Sequence, residues 1–63
     1  PRLYETNMLI GDSYIKKGEG SKAVEAYKAS LKVAENIFEP EAKQIFELHT
    51  KITNAMEKSS YEV

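Results

Sequence analysis

Sixty-three residues contain no cysteine, no tryptophan, a single histidine, two prolines and three glycines. Without cysteine there is neither a disulfide staple nor a thiolate metal site, and one histidine cannot form a histidine cluster. The usual reinforcements of a very small fold are thus missing, and its stability must come from packing. Charge of one sign is also scarce: nine Lys and Arg face ten Asp and Glu, for a net charge of -1. No basic excess is available to neutralise phosphates or an anionic bilayer, so neither nucleic acid nor membrane is expected as a partner. Apolar runs fall well short of the roughly 18 residues of a membrane span, and no charged-then-apolar leader is present. The expectation is a cytoplasmic chain. It opens on Pro1 rather than Met, which reads as a processed chain or a piece of a longer one.

What is present is helical periodicity. Between Leu3 and Lys17, one stripe holds Leu3, Ile10 and Tyr14 and its neighbour holds Tyr4, Met8 and Ile15, with Gly11 between them. Leu9 is the one large apolar residue outside that arc. Gly18-Glu19-Gly20-Ser21 interrupts the pattern; both glycines can adopt positive φ, and Ser21 can cap the next helix. A second helix over 21–36 places Ala23, Val24, Tyr27, Leu31 and Ala34 on its buried face. Pro40 disfavours helical geometry at Glu39 and suits the first turn of a new helix. A third helix over 40–58 follows, with Ala42, Ile45, Phe46, Ile52 and Met56 inward and His49 among them, then a frayed tail over 59–63. The fold class expected is all-α: an antiparallel three-helix unit over about 3–17, 21–36 and 40–58, in a single domain. No face of it is strongly polarised in charge.

Ile10-Gly11, then Tyr14, then Ala23 nine residues on and Tyr27 four after that, resemble the tetratricopeptide signature W-x2-L-G-x2-Y…A-x3-F…P. Gly11, Tyr14 and Ala23 are identical to it, Ile10 and Tyr27 are close substitutes, and Gly18 falls at the interhelix turn where that family has glycine. Asn7, Gly20 and Glu35 depart from it. The resemblance covers one repeat, a hairpin over 1–37. One period later Gln44, Ile45 and Leu48 stand where Ile10, Gly11 and Tyr14 should recur, so 38–63 resembles a capping helix and short tail. Small residues at Gly11 and Ala23 let two helices approach, and Tyr14 and Tyr27 fill the space around them.

Tetratricopeptide proteins are protein-binding scaffolds, so the resemblance implies a protein or peptide partner and no cofactor. Its groove-lining positions fall on Glu5, Met8, Asp12, Ile15 and Lys16. The members that clamp a terminal carboxylate have Lys and Asn where this chain has Met8 and Asp12, and Asp12 would repel a carboxylate. Taken residue by residue, Met8 and Ile15 are also expected as packing residues, the charged positions as a solvated face, and His49 as a partly buried histidine rather than a ligand or pH sensor. Two other readings stand beside this one. Three-helix microtubule-interacting-and-transport domains are similar over Gly18 to Tyr27 and would use Glu47 and Lys51 to grip a partner helix; in a capping helix those two face water. Self-association is the other, through a seam of Ala42, Ile45, His49, Ile52 and Met56 at alternating steps of three and four. Catalysis lacks parts: there is no thiol nucleophile, no phosphate loop, no metal-ligand spacing and no second histidine.

Overall fold

A computed structural model describes the backbone of residues 3–60 and the side chains of residues 4–58. Three helices follow one another: α1 (Leu3–Lys16), α2 (Gly20–Ile37) and α3 (Lys43–Ser60). α2 is the shared wall. It packs against both α1 and α3, which barely touch one another.

The first connection is a Schellman closure. The Glu19 N–H donates to the Tyr14 carbonyl at 2.8 Å and the Gly18 N–H to the Ile15 carbonyl at 3.0 Å, with Gly18 at φ +78°. This is the left-handed residue that the motif requires and glycine adopts without strain. The remainder of the turn differs from the sequence reading. α2 begins at Gly20, and its cap is Glu19, not Ser21; the Glu19 side chain makes no capping bond and pairs instead with Lys22 at 3.2 Å. The hydrogen bond and charge of Glu19 hold the Lys22 ammonium above its ordinary value.

The second connection also corrects an expectation. α3 starts at Lys43 rather than Pro40, because Pro40 occupies a turn closed by the Ala42 N–H on the Glu39 carbonyl at 2.9 Å. Proline's fixed φ favours the second position of such a turn. The Ala42 carbonyl then accepts from Ile45 at 3.1 Å and from Phe46 at 3.2 Å, opening the helix. At its far end α3 runs through Ser59 and Ser60, where a frayed tail was expected; 61–63 lie outside the described residues.

The core explains the order of the layers. On α2 the buried positions are Gly20, Ala23, Tyr27, Ser30 and Ala34, spaced three, four, three and four apart. Four of the five are small, so neighbours can approach on both sides, while Val24 and Leu31 flank the stripe half-buried. α3 contributes Ile45, Leu48, Ile52 and Ala55. α1 contributes Tyr4, Met8, Tyr14 and Ile15, half-buried against that core. Phe38 closes one end, its ring edge-on to Tyr4 at 5.2 Å and 86°. The hydroxyl of Ser30, fully buried, donates to the Tyr4 carbonyl.

Ile45 and Ile52 are buried and Ala42 packs on the core as expected, but the rest of the inward face of α3 differs from the expected one. Phe46 is 72% exposed, Met56 is 47% exposed and His49 is exposed too, while Leu48 and Ala55 take the core positions. Both stripes have the right spacing, and they sit side by side on the helix. Ile10, expected inward on α1, is 43% exposed.

Candidate functional site

Where α1 and α3 diverge above α2 they leave an open cleft, formed by two adjoining hollows of about 500 Å³ and about 200 Å³. α1 supplies Asp12, Ile15 and Lys16 with Leu9 and Ser13 on the rim. α3 supplies Lys51, Asn54 and Lys58, and Tyr27 of α2 forms part of the floor.

A three-helix cluster organises this cleft. Tyr27 is 2% exposed, and its hydroxyl donates to Asp12 Oδ1. The same oxygen accepts from Lys51 Nζ at 3.2 Å, and Lys51 Nζ stands 5.6 Å from the centroid of the Tyr27 ring. One carboxylate thus joins α1 to α2 and to α3. Burial, followed by the hydrogen bond to Asp12 and its charge, pushes the Tyr27 phenol far above its ordinary value, so it serves as a donor. Among the described residues, no buried side-chain nitrogen or oxygen is without a hydrogen-bond partner.

Asp12, Ile15 and Lys16, three of the five groove positions anticipated on α1, meet in this cleft. Met8 does not join them and packs half-buried on the core, while Glu5 is exposed and lines neither hollow. Gly11, Tyr14, Ala23 and Tyr27 lie along the α1–α2 contact. Ala23 is fully buried, and a Cβ on Gly11 would meet the Tyr27 ring at 2.5 Å. Tyr14 packs half-buried on the core, with Lys22 Nζ 5.9 Å from its ring centroid.

Lys51 is the main correction. Instead of facing water it is half-buried and paired with Asp12, whereas Glu47 is exposed. Lys51, Asn54 and Lys58 were missed as site residues although their spacing of three and four already puts them on one side of α3. Leu9, the large apolar residue outside the expected arc, is 63% exposed and lines the cleft. Three lysines against one aspartate line the cleft.

His49 lies elsewhere, in a separate hollow of about 260 Å³ beside Glu35, Phe38, Pro40 and Ile45. It is exposed, not partly buried as expected. Among the described residues there is no group of three or more His, Cys, Asp or Glu side chains able to hold a metal ion. No helix of the structure is long and apolar enough to cross a membrane. Neither the family models, the curated proteins nor the solved structures compared with the chain give a match.

Proposed function

We propose that this chain is a non-catalytic protein-interaction module, a tetratricopeptide-like hairpin with a capping helix, that takes a peptide or helix of a partner into the α1–α3 cleft. The observation that carries this reading is the cleft itself: two apolar side chains, Leu9 and Ile15, beside the Asp12–Lys51 pair and the Lys16 and Lys58 ammoniums, left open between two helices. The Gly11–Tyr27 contact supports the tetratricopeptide comparison, since it gives the signature glycine a packing reason. Lys51 held inward by Asp12 matches neither the water-facing lysine of a capping helix nor the partner-seeking lysine of the transport-domain reading. The cleft brings together carboxylate, ammonium and phenol groups without a histidine or thiol, which suits recognition better than catalysis. The cytoplasm belongs to the same proposal, because a chain without cysteine fits a reducing compartment.

Panning a displayed random-peptide library on the chain tests this reading. The selected peptides, titrated by fluorescence anisotropy, should lose about tenfold or more in affinity with Leu9→Glu, whose side chain is 63% exposed and whose change leaves the helical circular dichroism intact. Selected peptides indifferent to Leu9→Glu would remove the cleft as the binding site.

A second reading, self-association, is carried by the exposed Phe46 and Met56 on α3 and by Ile10 on α1. Light scattering on a size-exclusion column distinguishes it, a monomer at high concentration counting against it.

A further inference from the structure

We infer that the cleft is built for an acidic segment that also carries a large apolar residue, and that Asp12 occupies Lys51 as an internal competitor for it. The inference rests on the cleft being the binding site. Its charge carries the argument: the whole chain is at -1, yet Lys16, Lys51 and Lys58 against Asp12 leave the cleft with an excess of two positive charges. Among the described residues neither Lys16 nor Lys58 has an ion-pair partner. Leu9 and Ile15 share the lining of the cleft with Lys16 and Lys51. A segment that carries acidic residues and a large apolar residue matches that lining, and a basic segment meets repulsion.

The position of Asp12 gives the proposal an unusual sign. Its carboxylate already holds Lys51 Nζ at 3.2 Å, in the place where a ligand carboxylate would bind, and it repels that newcomer. Removing this acid therefore strengthens the binding of an acidic ligand. Asn at position 12 keeps an oxygen that can accept from the Tyr27 hydroxyl, so the fold has its floor while Lys51 is released.

The test uses the 63-residue chain and an array of peptides about twelve residues long, amidated at the C-terminus so that no terminal carboxylate contributes. Leucine is fixed at the centre and the flanks are varied from glutamate to glutamine to lysine. Binding is expected to rise with the number of glutamates and to fall as salt is raised, the behaviour of exposed charges. With the best glutamate peptide, Lys16→Glu and Lys58→Glu each weaken affinity by about fivefold, and Asp12→Asn strengthens it by about two- to fivefold, the range of single exposed ion pairs. Circular dichroism melts of each variant establish that it is folded. Glutamine or lysine peptides that bind as well as glutamate ones would overturn the inference and leave the cleft reading standing, whereas no binding to any peptide would remove both. Weaker binding with Asp12→Asn would overturn the competitor role. Tighter binding to single-stranded RNA or to phosphatidylserine vesicles than to the glutamate peptides would also overturn the inference, since the lysines would then be reading phosphate.

Discussion

Gly11 and Tyr27 interlock: a Cβ added to Gly11 would stand 2.5 Å from Tyr27 Cε1, 2.7 Å from Cδ1 and 2.9 Å from Cζ. The ring is also tied to α1 by its hydroxyl on Asp12, so it has little room to slide. Gly11→Ala gains about 1 kcal/mol in helix propensity and loses more to overpacking, which costs about 1–3 kcal/mol. The expected outcome is a net loss of about 1 kcal/mol, read as a fall of about 4–8 °C in the thermal midpoint. A raised midpoint would show that the ring moves aside.

Tyr27→Phe keeps the ring and deletes its bond to Asp12, with an expected loss of about 1–2 kcal/mol at neutral pH. The two chains should also differ in alkali. Folding pushes the Tyr27 phenol up, so the unfolded chain ionises first, near the ordinary value of about 10. The stability it contributes is complete below that value and declines as pH rises past it toward the folded-state value. Urea unfolding at about pH 8 and about pH 11 should show a steeper alkaline loss in the wild type than in Tyr27→Phe. Equal losses would mean that another group sets the alkaline limit.

Leu48 and Phe46 test the phase of α3. Leu48 is 1% exposed and Phe46 is 72% exposed. Leu48→Ala is expected to cost about 2–5 kcal/mol, a large share of the few kcal/mol available to a domain of this size. Phe46→Ala should stay within about 0.5 kcal/mol. The reverse ranking in denaturant midpoints would mean that α3 is rotated from the described arrangement.

The Asp12–Lys51 pair is half-exposed on both sides, with side-chain exposures of 39% and 35%. A double-mutant cycle with Asp12→Asn and Lys51→Met should therefore return a coupling of about 1 kcal/mol or less, declining with added salt. Coupling unaffected by salt would indicate a drier contact than the one described.

Gly18 has open space around its Cα, with no atom within 4 Å of an added Cβ, yet its φ is +78°. Gly18→Ala is expected to cost about 1–2 kcal/mol through backbone geometry alone. Asparagine, which tolerates the left-handed region better, should recover part of the loss. Equal stability of the three chains would show that the turn rearranges.

Period and punctuation made the helices legible: Gly18 marked the first turn, and Ala23, Tyr27 and Ala34 announced the α2 stripe. Ser30 escaped notice because a hydroxyl is not an apolar signal, although its bond to the Tyr4 carbonyl makes it a core residue. On α3, periodicity alone admitted two neighbouring stripes, and the choice between them depends on the shape of α2, a long-range property. Pro40 fits both a helix start and a turn, and the Ala42–Glu39 bond decides for the turn. The part of the site on α1 was readable from the resemblance. Lys51 and Lys58 were not, because nothing local announces that they stand opposite residues some forty positions earlier.

The helix with the smallest side chains is the one that both others lean on. α1 and α3 each pack on α2 and hardly on one another, so α2 alone is covered from two sides. Amide exchange would then be slowest along the middle of α2 and quicker in the outer rods, a gradient of protection across the molecule. Seen this way, the Asp12–Lys51 contact acts as a clasp between two covers of a book whose spine is α2.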